Sequence, residues 1–97
     1  MRTTQEWDQL SGLVTLWSQQ AKQAGENGDR MARAAYWTAI CTLLETTSMK
    51  TAKEALASVV AQSAERVFKR NESQDTYHDT LVKCLKDFNG GDTNHTK

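Results

Sequence analysis

The chain has 97 residues, 38% of them hydrophobic and 25% charged, with twelve basic and twelve acidic side chains, two cysteines and no proline. That is the length of one domain with a modest core, and it excludes wholesale disorder, which requires low hydrophobicity and high net charge. Zero net charge also excludes a whole-molecule field that would draw the protein to nucleic acid or to an anionic membrane.

The first helix is predicted from Thr3-Thr4-Gln5-Glu6, a capping box in which Thr3 and Glu6 satisfy each other's backbone amides. It runs for about 20 residues. Trp7, Leu10, Val14, Trp17, Ala21 and Ala24 recur at spacings of three and four and form one apolar seam, with Leu13 at its edge. Leu16 falls toward the opposite side. Gly25-Glu26-Asn27-Gly28-Asp29 breaks the chain: Gly25 is expected to end the helix in a left-handed conformation, and Asn27 or Asp29 to cap the next. A link this short makes the first two helices antiparallel neighbours.

The second helix, about residues 30–45, is apolar almost all the way round. Met31, Ala35 and Ala39 share one side, Trp37, Cys41 and Leu44 a second, and Tyr36, Ile40 and Leu43 a third, leaving a narrow polar strip at Thr38 and Thr42. Such a helix is buried on more than one side, so the sequence makes it central, covered by the other helices or shared with a second copy of the chain. Thr46-Thr47-Ser48 dilutes it, and a third helix is expected from a capping box at Thr51-Ala52-Lys53-Glu54, or from Ser48, to about Arg70. Ala52, Leu56, Val59, Val60, Ser63 and Val67 face inward. A fourth helix of about 15 residues is capped by Ser73, carries Tyr77, Leu81, Cys84, Leu85 and Phe88 as its stripe, and stops at Asn89-Gly90-Gly91. The expected architecture is all-α: a compact bundle of four helices, or three if the second and third run together, in one domain over 1–89 with a mobile polar tail over 90–97.

Chemistry is sparse. Cys41 and Cys84 fall on apolar helix faces and read as two buried, reduced thiols. Asp75, His78 and Asp79 share about one helical turn, but no Glu-x-x-His stands on another helix to complete a metal site. There is no C-x-x-C pair, no H-E-x-x-H, no phosphate loop and no nucleophile placed beside a base. The expectation is therefore no enzyme, no metal and no cofactor.

MRTTQEWDQL is polar where a secretory signal would be apolar, and no run approaches the roughly 20 apolar residues that span a bilayer, so a cytoplasmic protein without a membrane segment is expected. Its function is read as a non-enzymatic protein–protein interaction module: adaptor, subunit or steric inhibitor, one form being a phage or mobile-element protein that blocks a host enzyme. The partner is another protein or a second copy, contacted through Trp7, Leu16, Tyr36 and Trp37. The alternative is a small nucleic-acid-associated protein using Lys50, Lys53, Arg66, Lys69 and Arg70 on the third helix.

Overall fold

The computed structural model describes the backbone of residues 3–67 and 72–95, and the side chains of 3–65 and 76–88. Four helices appear among the described residues, with no strand: α1 (Thr4–Glu26), α2 (Arg30–Glu45), α3 (Met49–Val67) and α4 (Glu72–His95). The all-α bundle expected from the sequence is what forms, and α2 and α3 are separate helices.

Local chemistry sets most of the boundaries. Glu6 N donates to Thr3 Oγ1 at 3.1 Å and Thr3 N donates to Glu6 Oε1 at 2.9 Å, which completes the capping box of α1. The second carboxylate oxygen of Glu6 accepts from Met49 N at 3.4 Å, so one side chain pins the start of α1 to the start of α3. Asp29, not Asn27, caps α2: its Oδ1 accepts from Ala32 N at 3.1 Å. Ser48 rather than Thr51 caps α3, accepting from Thr51 N at 3.1 Å.

Two expectations about glycine are corrected. The left-handed residue of the first turn is Gly28, at φ +79°, and not Gly25, because α1 continues to Glu26. α4 runs from Glu72 to His95, past the stop expected at Asn89-Gly90-Gly91, and Ser73 lies inside it. A helical glycine costs only about 1 kcal/mol against alanine, and extending a helix already nucleated adds one hydrogen bond per residue, so glycine alone does not enforce an end.

α2 packs against all three other helices, as the sequence requires of its central element. Tyr36, Ile40 and Leu43 are buried along one side, and Ala32, Ala35 and Ala39 along another, where the methyl-sized side chains admit close neighbours. α1 contributes Leu10, Leu13, Trp17 and Ala21 to the core, α3 Ala52 and Leu56, and α4 Leu81, Cys84 and Phe88. Trp17 closes the contact between α1 and α4. It is fully buried, its ring centroid lies 5.8 Å from that of Phe88, and its indole N–H donates to Asp87 Oδ2 at 2.9 Å.

Candidate functional site

The third side of α2 is not buried. Trp37 is 44% exposed and Leu44 55%, and Cys41 is exposed between them. The expectation that Cys41 is a buried thiol is therefore wrong. The physical reason is the number of neighbours: among the described residues α2 packs only against α1, α3 and α4, and these cover two of its sides. At about 100° per residue, Arg30, Arg33, Ala34, Trp37, Cys41 and Leu44 fall within an arc of roughly 100°, one continuous stripe along the helix. Its apolar members are headed by two arginines and followed by Glu45, all three exposed.

Two open hollows flank the indole of Trp37. One is lined by Arg30, Arg33, Ala34 and Trp37, the other by Lys22, Gly25, Glu26, Arg33 and Trp37. Gly25 shapes the second: a Cβ there would stand 3.2 Å from Arg33 Cδ, so its missing side chain lets the aliphatic stem of Arg33 lie across the end of α1. The basic groups gather at this end of the stripe, with Glu26 the acid among them.

The other expected contact residues scatter. Tyr36 is 5% exposed and belongs to the core, one residue and one face away from Trp37. Trp7 is 51% exposed and sits at the Leu44 end of the bundle, since its neighbour Glu6 reaches Met49. Leu16 is 38% exposed but stands roughly 180° round α1 from Trp7, and so joins no common surface with it. The stripe thus brings together Trp37 with Cys41 and Leu44, two residues outside the expected set, although the sequence already groups all three on one side.

Lys50 and Lys53 are exposed on α3, whereas the side chains of Arg66, Lys69 and Arg70 lie outside the described residues. Asp75 lies outside them as well, and among the described residues no cluster of three His, Cys, Asp or Glu side chains is placed to hold a metal. His78 is engaged elsewhere: its Nδ1 is 2.7 Å from Ser63 Oγ. Ser63 Oγ also lies 2.8 Å from Val60 O, to which its hydroxyl can donate. Ser63 is buried, and the pair clamps α3 to α4. Thr38 and Tyr77 form a similar clamp between α2 and α4, their oxygens 2.9 Å apart. Burial, with help from the Asp87 carboxylate and against Lys83, pushes the Cys84 thiol up to about 12, which keeps it protonated and inert.

Fold and surface together define an all-α four-helix bundle whose central helix leaves one aromatic, cation-headed stripe uncovered. No family model matches the chain, and no curated protein and no solved structure matches it. Among the described residues no helix is long and apolar enough to cross a membrane.

Proposed function

We propose that the chain is a non-enzymatic protein–protein interaction module, an adaptor, subunit or steric inhibitor that acts by laying the open stripe of α2 against a protein surface. The observation that carries this is the continuity of Ala34, Trp37, Cys41 and Leu44 along an otherwise core-forming helix. Scattered exposed leucines are ordinary, but an aligned tryptophan and leucine with small residues between them offer an anchor and room around it. Tryptophan and arginine are both among the residue types enriched at interface hot spots. The exposed, unlinked Cys41 suits the reducing cytoplasm, where we place its action.

The test is capture by the immobilised protein from native lysate, at low and high salt, with wild type and Trp37→Asp compared. Salt-tolerant capture that disappears with Trp37→Asp supports docking through α2. Capture that vanishes with salt and with nuclease, and is indifferent to Trp37→Asp, transfers support to nucleic-acid binding through Lys50, Lys53 and the basic end of α3.

A further inference from the structure

We propose that the partner of this face is a second copy of the chain, packed antiparallel along α2 about a two-fold axis, with Leu44 of each copy seated in the hollow between Arg30, Arg33, Ala34 and Trp37 of the other. This rests on the reading of α2 as a docking face and names its occupant. The hollow is lined by residues at i, i+3, i+4 and i+7 of one helix. That is the four-residue hole into which a side chain of a facing helix inserts when two helices interdigitate. Leu44 is the most exposed of the large apolar residues described, on the same stripe, and has the size of such a knob.

Register follows from the stripe itself. When Ala34 of one copy lies opposite Leu44 of the other, Trp37 falls opposite Cys41, and the two-fold repeats both layers. Each layer then sets one large side chain against one small one, the match that fills space without overpacking. Sliding by one heptad in either direction puts Leu44 opposite Asn27 or Trp37 opposite Ser48, both beyond the ends of α2. Of these three registers only the first buries all four apolar residues.

Charge selects the same arrangement. The basic end of the stripe holds Arg30 and Arg33, the other end Glu45, and none of the three forms an ion pair among the described residues. Antiparallel packing in this register brings Arg33 of each copy opposite Glu45 of the other, with Arg30 one turn further along, whereas parallel packing sets like charges together. Such an interface is isologous: what each surface offers, the same surface accepts.

Sedimentation of the wild-type chain over a wide concentration range tests this. The 10.9 kDa chain should approach twice that mass as concentration rises, and Leu44→Asp should remain a monomer. Arg33→Glu and Glu45→Arg each set like charges face to face, and each should weaken the dimer at least about tenfold. Both substitutions suit the helix dipole at their own end of α2, so folding is retained, as circular dichroism will verify. Mixed in equal amounts, the two variants should form a heterodimer in which the new carboxylate of one meets the new guanidinium of the other. A wild-type chain monomeric at every concentration, or a dimer untouched by Leu44→Asp, overturns the proposal. So does a mixture that dimerises no better than its components. A monomeric wild type whose captured protein is still lost with Trp37→Asp removes the self-pairing alone; capture unchanged by Trp37→Asp removes the docking reading.

Discussion

Leu43 and Leu44 are chain neighbours with identical side chains, and the fold treats them oppositely: Leu43 is 1% exposed and Leu44 55%. Tyr36 and Trp37 repeat the contrast about two turns earlier, at 5% and 44%. A step of about 100° carries the helix from a face buried in the core to a face that none of the described residues covers. The lesson is that apolar content around a helix reports how much surface wants covering. Which part the chain covers itself is decided by how many elements it can bring, and here three helices cover two sides.

The comparison breaks most visibly at the buried end of the range. Trp17→Ala removes a fully buried indole and strips Asp87 of its donor, and should cost about 3–5 kcal/mol in urea unfolding. Trp37→Ala in dilute solution should change stability by about 0.5 kcal/mol or less, as surface substitutions do. Leu43→Ala should cost about 2–5 kcal/mol, and Leu44→Ala again about 0.5 kcal/mol or less while the chain is monomeric. Equal losses from the two leucines would mean that α2 has no open side.

The buried thiol of Cys84 gives a further test through pH. Cys84 keeps its proton to about pH 12 in the folded chain, while the unfolded thiol releases it near the ordinary 9.0. Above pH 9 the unfolded state therefore binds fewer protons, and stability falls as pH rises from 9 toward 12. The Cys84→Ala variant lacks this contribution, so the difference between its pH–stability profile and the wild-type profile should follow that window. A smaller effect concerns the helix ends: Asp29→Ala removes the cap that starts α2 and should cost about 1 kcal/mol.

Much of this fold is legible in residue order because its determinants are local. The Thr3–Glu6 capping box, the Asp29 cap and the spacing of Leu10, Trp17 and Ala21 place α1 and α2 with no tertiary information. The open face is only half legible. The sequence groups Trp37, Cys41 and Leu44 on one side of α2, but Tyr36, Ile40 and Leu43 look equally apolar, and nothing local says which group meets α1. That Tyr36 is buried while Trp37 is open is not legible for that reason. The Ser63–His78 and Trp17–Asp87 pairs, 15 and 70 residues apart in the chain, carry no sequence signal beyond polar groups near apolar ones. Where α4 ends is missed because two glycines look like a stop, although they only weaken a helix.

Hydroxyl-radical footprinting of the wild-type chain, read residue by residue by mass spectrometry at low and high protein concentration, tests the division of α2 most directly. The expected result is that Tyr36 and Leu43 stay protected throughout, that Trp37 and Leu44 are modified in dilute solution and become protected on concentration, and that Leu16 reacts alike in both. Modification of Tyr36 as fast as Trp37, or protection of Trp37 and Leu44 already in the dilute monomer, would contradict an open and a closed side on one helix.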